Sequence, residues 1–181
     1  MTSHPKADLI DPVDATISVC GQYRTTLRRI WDRDLGMLVV CMLNPSTADH
    51  QKNDPTILAL IHFAKLWGYG GILVVNLFSL RTPSPAEMMK VTDAFGPDNG
   101  TAIAAAMQYA RDNGGRLLCA WGNHGDHQDR AEWFCNRALQ VYGLTLICLG
   151  TTIRWKPKHP MARGKHRISR DQMPIVWRAP A

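Results

Sequence analysis

Four short apolar runs constrain the fold of this chain. They are Met37–Leu43, Gly71–Asn76, Arg116–Trp121 and Leu144–Leu149, all rich in Val, Leu, Ile and Cys. Each is nearly continuous in its apolar character, the pattern of strands buried on both faces of a parallel sheet. The segments between them are helical in punctuation and spacing. Asp54 stands as an N-cap before Pro55, and Ile57, Leu60, Ile61, Ala64 and Leu66 recur at helical intervals before Gly68. A short helix is predicted near Pro85–Lys90, a longer one from Pro97 to about Asp112, and another from about Gln128 to Val141, stopping at Gly143. The order β-α-β-α-β-α-β predicts a single-domain, three-layer α/β/α fold over residues 1–181, built on a central, mainly parallel four-stranded sheet with right-handed crossovers. Residues 17–31 are expected to add an edge strand. The tail after Ile168 is expected to be a short extended segment.

Bulk properties narrow the function classes. With 181 residues, 45% of them apolar, the chain has enough material for a real core and too much for disorder. No apolar run approaches the roughly 20 residues of a membrane span. Met1 to Pro12 lacks the apolar centre of a secretory leader, so a cytoplasmic protein with no membrane partner is expected. Cys20, Cys41, Cys119, Cys135 and Cys148 form no C-x-x-C pair, and three of them lie inside apolar runs. They read as small buried hydrophobes, with no metal site and no cofactor. His124-Gly125-Asp126-His127 followed by Cys135 fits no common zinc spacing. No Gly-x-Gly-x-x-Gly or Walker-type loop is present, which disfavours dinucleotide binding and NTP hydrolysis.

Charge is unevenly spread. From Thr151 to Ala181 there are eight Lys or Arg against Asp171 alone, a net +7, so the rest of the chain carries −1 of the total +6. A basic segment on a near-neutral body is the footprint of a phosphate-binding surface. Lys156, Lys158, Arg163 and Lys165 are its candidate DNA contacts.

Polar residues stand at the carboxyl ends of the predicted strands, the edge where open α/β sheets bind ligands. The first run ends in Asn44-Pro45-Ser46, the second in Asn76-Leu77-Phe78-Ser79 and the third in Trp121-Gly122-Asn123-His124. The fourth leads through Gly150 into Lys158-His159-Pro160-Met161. Singly, Asn-Pro and Gly-Asn are ordinary turn dipeptides. Together at four strand ends they bring asparagines and histidines to one cleft. Asp49 and Arg81 are further candidates to face it, and Asp54 is explained by its helix cap.

These segments, in this order, resemble those of the uracil-DNA glycosylase superfamily. Met42-Leu43-Asn44-Pro45-Ser46 is similar to its first motif, in the form with Asn in place of Asp. Val74-Val75-Asn76 is similar to the strand whose Asn reads the base edge. Cys119-Ala120-Trp121-Gly122-Asn123-His124 is similar to the strand ending in Trp-Gly, and Lys158-His159-Pro160-Met161 to the His-Pro loop that enters the minor groove. Over nearly its full length the chain also resembles the small family labelled DUF1643.

The resemblance implies a uracil-DNA glycosylase-like fold and definite roles. Asn44 would position the attacking water and Asn76 would bond the flipped base. His159 would stabilise the departing base or grip a phosphate. Pro45, Ser46, Phe78, Trp121, Gly122 and His124 would complete the substrate pocket, with Phe63 and Phe78 as candidates to stack on the base. Met161 or Arg163 would sit at the wedge. The expected partner is DNA with one base flipped out, bound by a monomer, in repair or antiviral defence. Ser46 stands where the uracil-specific branch has a bulky aromatic, which opens the pocket to a 5-substituted pyrimidine. A group-transferring enzyme of DNA hypermodification and a non-catalytic module that senses modified DNA are the alternatives.

Overall fold

The computed structural model describes residues 15–49 and 52–180. The stretch Met1 to Pro12, read above for a secretory leader, lies outside the described residues. The strands are β1 (Ala15–Ile17), β2 (Arg24–Ile30), β3 (Met37–Met42), β4 (Gly71–Asn76), β5 (Arg116–Cys119), β6 (Thr145–Cys148) and β7 (Ile175–Arg178). The helices are α1 (Pro55–Leu66), α2 (Pro85–Lys90), α3 (Asn99–Asp112) and α4 (Arg130–Asn136).

All seven strands form one sheet in the order β1-β2-β4-β3-β5-β6-β7. The expected four-stranded sheet is thereby corrected to a seven-stranded, mixed one. β4, β3, β5 and β6 run parallel, β2 and β7 pair antiparallel to the outer two of these, and β1 pairs with β2. The strand expected within residues 17–31 and the extended segment expected after Ile168 are present as β2 and β7, though neither is a continuous apolar run. β2 interleaves Arg24, Arg28 and Arg29 with apolar residues, and Ile175 and Val176 of β7 are exposed on the sheet edge. β2 is also not at the edge, because β1 covers it.

Successive strand residues point to opposite faces. Leu38, Val40, Ile72, Val74, Leu118 and Ile147 pack with α1 on one face. Val39, Cys41, Val75, Leu117, Cys119 and Leu146 pack with α3 and α4 on the other. Four of the five cysteines are buried, three of them in this second layer, and all are free; Cys20 is exposed. Burial raises the thiols of Cys41, Cys119, Cys135 and Cys148, which suits packing and not nucleophilic chemistry.

Asp54 caps α1 by accepting the Ile57 N–H at 2.9 Å. The helix predicted from Gln128 starts later, at Arg130. Gln128 and Asp129 adopt left-handed φ of 53° and 54°, which ends a 3-10 stretch over Gly122–Asp129 before α4 begins. Among the described residues no helix is long and apolar enough to cross a membrane. The register sets Met42 opposite Asn76, Cys41 opposite Cys119 and Leu118 opposite Ile147. The four parallel strands therefore finish along one edge, and their following loops share it.

Candidate active site at the carboxyl edge of the sheet

A pocket of about 740 Å³ opens over this edge. Asn44 and Ser46 after β3, Trp121 to His124 after β5, and Arg154, Lys158 and His159 after β6 line it, with Thr82 and Pro83 from the loop after β4. Its size suits a nucleotide-scale ligand. Beneath it lies a chamber of about 40 Å³. The two cavities share Met42, Asn44, Ser46, Thr56 and His159, and the chamber is closed by Arg24, Asp54, Ile57, Val74 and Asn76.

Asn44 faces the pocket because its side chain is pinned. Its Nδ2 donates to the Thr82 carbonyl at 2.7 Å and the Pro45 carbonyl at 3.1 Å, tying the end of β3 to the loop after β4. Oδ1 takes no part in these bonds. The nitrogen is spent on architecture, and the oxygen is the group that can accept a hydrogen bond from a ligand or water.

His159 is held as firmly. Its Nδ1 accepts the Met161 N–H at 3.1 Å, so in the neutral ring the proton resides on Nε2. Burial lowers the pKa of His159, and the charge of Asp54 opposes that shift. The favoured form is a neutral imidazole with an Nε2–H donor. The loop that carries it is docked by the Gly122 N–H donating to the Pro157 carbonyl and the Lys158 N–H donating to the Gly150 carbonyl. Gly122 makes this approach at a left-handed φ of 75°, and an added Cβ would lie 4.0 Å from the His159 Cβ.

Trp121 forms part of the wall and is 2% exposed, set edge-on to Phe134 and Trp177 with centroids 5.7 Å away in each case. Gly125 lies flat on this indole, where an added Cβ would come within 2.3 Å of Trp121 Cδ1. Electrostatically the pocket is one-sided. Arg154, Lys158 and Arg163 line it together with His124 and His166, and none of its lining residues is Asp or Glu. An anionic ligand fits this lining.

The structure brings Asn44, Ser46, Trp121, Gly122, His124, Lys158, His159 and Arg163 to the one pocket. Other expected site residues lie elsewhere. Asn76 lines the small chamber and not the main pocket. Pro45 is buried outside both, its carbonyl accepting the Thr82 N–H. Phe78 is fully buried in the core with its ring 5.5 Å from that of His127, because the β3–β4 pairing continues through Phe78 N–H to the Leu43 carbonyl. Phe63 is likewise a core residue of α1. Lys156 is paired with Asp126 at 2.6 Å. Met161 lines a separate groove of about 350 Å³ beside α1 and not the main pocket. Lys165 is exposed on a 3-10 turn over Gly164–His166, outside both cavities. Arg81 donates to the Gly21 carbonyl, and Asp49 Oδ1 accepts the Lys52 N–H; neither lines the pocket. Among the described residues no three His, Cys, Asp or Glu side chains are grouped to hold a metal.

Sequence reasoning did not single out Arg24 or His166, counted Arg154 only within the basic segment, and assigned Asp54 a cap and nothing more. Asp54 also carried a usable signal: it opens the helix that follows the Asn44 loop, so its carboxylate had to return to the same edge.

Against known proteins, residues 24–161 match the model of a family described as a protein of unknown function (DUF1643). No curated protein and no solved structure matches.

Proposed function

The chain belongs to the DUF1643 family, and we propose that it is a DNA glycosylase: it hydrolyses the N-glycosidic bond of a modified base in DNA, a 5-substituted pyrimidine, and leaves an abasic site. The observation that carries this is that an acceptor, Asn44 Oδ1, and a donor, the Nε2–H of a neutral His159, line one pocket together with three cationic side chains. Breaking an N-glycosidic bond develops positive charge on the sugar and negative charge on the departing base. Asn44 Oδ1 accepts a hydrogen from water and so turns the water's lone pair toward C1′. His159 Nε2–H donates to the base as it gains charge, the preorganised electrostatic aid that lowers such barriers most. Arg154, Lys158 and Arg163 hold the phosphates of the flipped nucleotide.

The order of the four motif segments, similar to that of the uracil-DNA glycosylase superfamily, supports the same reading. So does Ser46, a small side chain on the pocket wall, which leaves room for a substituent at C5. Room of this kind permits a large base without selecting it. The biological setting is repair or defence against phage DNA that carries modified bases.

The test is abasic-site formation on a panel of duplexes carrying modified pyrimidines, read as strand cleavage after alkali. Asn44→Ala should keep DNA affinity and lose at least about 100-fold in rate. Ser46→Tyr should suppress action on a bulky base more than on uracil. Alkali-stable strands throughout would overturn the proposal; a gain in base mass would instead identify a transferase, and a mobility shift alone a binding module.

A further inference from the structure

We infer that the 40 Å³ chamber beneath the pocket holds the water consumed in the reaction, and that Asp54 is the general base that takes its proton. This rests on the glycosylase reading and adds a catalytic residue to it. The chamber has room for an ordered water, which needs roughly 10–15 Å³ of such space. It is also too polar to stay dry. Asn76 Nδ2 and Arg24 Nε are donors without a partner, in side chains only 1% and 3% exposed, and both residues line it. Buried donors of this kind are met by ordered water.

Asp54 supplies what Asn44 cannot. An amide orients a water but does not take its proton at neutral pH, whereas a carboxylate can. Asp54 is the one carboxylate among the described residues that line either cavity. Its Oδ1 is committed to the Ile57 N–H, and the cap needs no more than that one oxygen. Its charge acts on Arg24 and on His159, both of which line the chamber.

A water here accepts from Asn76 Nδ2 and donates to Asp54 and to Asn44 Oδ1. One lone pair then remains, directed to the main pocket through the residues the cavities share. As the C1′–N bond breaks, its electron pair leaves with the base, which His159 Nε2–H stabilises. The water oxygen bonds to C1′ and its proton passes to Asp54. Asp54 then returns that proton through solvent to the departed base, so atoms and charge balance. Asn76, on this account, holds the water and does not read the base.

Two measurements test this. A crystal structure of the protein should show an ordered water within hydrogen-bond distance of Asp54 and Asn76 Nδ2; a dry chamber overturns the inference whatever the activity. Asp54→Asn keeps the helix cap, because Asn caps as well as Asp, so the variant should still unfold in one cooperative thermal transition even though the buried Arg24 loses an attractive charge. On the duplex that wild type cleaves fastest, this variant should release base about 10²–10⁴-fold more slowly. A rate within threefold of wild type overturns the role of Asp54 and leaves the glycosylase reading standing. A wild type that releases no base from any duplex of the panel overturns that reading, and the general-base role with it.

Discussion

The arginines of β2 and the cations of the loop after β6 carry the same charge and do opposite work. Arg24 and Arg29 are 3% and 2% exposed. Arg29 donates to Asn53 Oδ1 and to the Arg28 carbonyl at 2.8 Å each, and also to the Asp49 carbonyl. Arg24 donates to the Ala48 carbonyl, and burial pulls its guanidinium down to about 10, which leaves it charged at neutral pH. These two side chains hold the segment between β3 and α1, the one that carries Asn44, Ser46 and Asp54. Arg154, Lys158 and Arg163, in contrast, turn their charge toward the open pocket. A buried guanidinium spends its donors on backbone carbonyls and becomes scaffold, whereas an accessible one keeps them for a ligand.

The largest effect should come from breaking the buried half of this contrast. Arg29→Met removes three hydrogen bonds from a charged donor and strands their acceptors. It should cost about 3 kcal/mol in urea unfolding, whereas Arg154→Gln should stay within about 0.5 kcal/mol. Equal losses would mean that burial does not separate the two groups.

The accessible half is tested by salt. Lys158→Gln with Arg163→Gln should flatten the dependence of log K on log salt by about two units, at about 0.9 per phosphate contact. Lys156→Gln should change it far less, because Asp126 already holds that ammonium. On the proposed reading K is for DNA binding, and a slope that answers to Lys156 as strongly as to Lys158 would count against the pocket as the phosphate site.

The smallest effect concerns His159, whose pKa is lowered chiefly by burial. Between its lowered folded value and the ordinary imidazole value near 6.5, the unfolded chain binds a proton that the folded one refuses. Stability should therefore fall as pH drops through and below about 6.5. His159→Asn should weaken that fall in a pH series of thermal midpoints. An unchanged series would place the ring in solvent.

The parallel strands and α1 to α3 were legible because their signals are local. Continuous apolar runs mark doubly buried strands, and Asp54-Pro55 and Ser84-Pro85 mark helix starts. β2 was legible as a strand within residues 17–31 but its place inside the sheet was not, since an arginine-rich strand reads as surface until the loop it supports is folded against it. At the site, Asn44, Trp121 and His159 were visible as polar or aromatic residues at strand ends. Phe78 and Asn76 sit near the same end yet point away from the main pocket, because pairing continues past β4 and fixes which face each side chain takes. The pairing of Lys156 was not legible, because composition counts charges and cannot see Asp126 across from one of them.

Trp177 of β7 donates from Nε1 to the Trp155 carbonyl at 3.1 Å and buttresses Trp121. Trp155 itself sits at a left-handed φ of 57°, a backbone state that a bulky residue keeps only when its surroundings impose it. The residue that supplies this support follows every pocket residue in chain order. A ribosome, which delivers a chain from its N-terminal side at about 5–20 residues per second, therefore presents Asn44, Trp121 and His159 before their brace exists. The pocket wall is completed only when β7 joins β6, so synthesis itself delays when the pocket can first take a ligand.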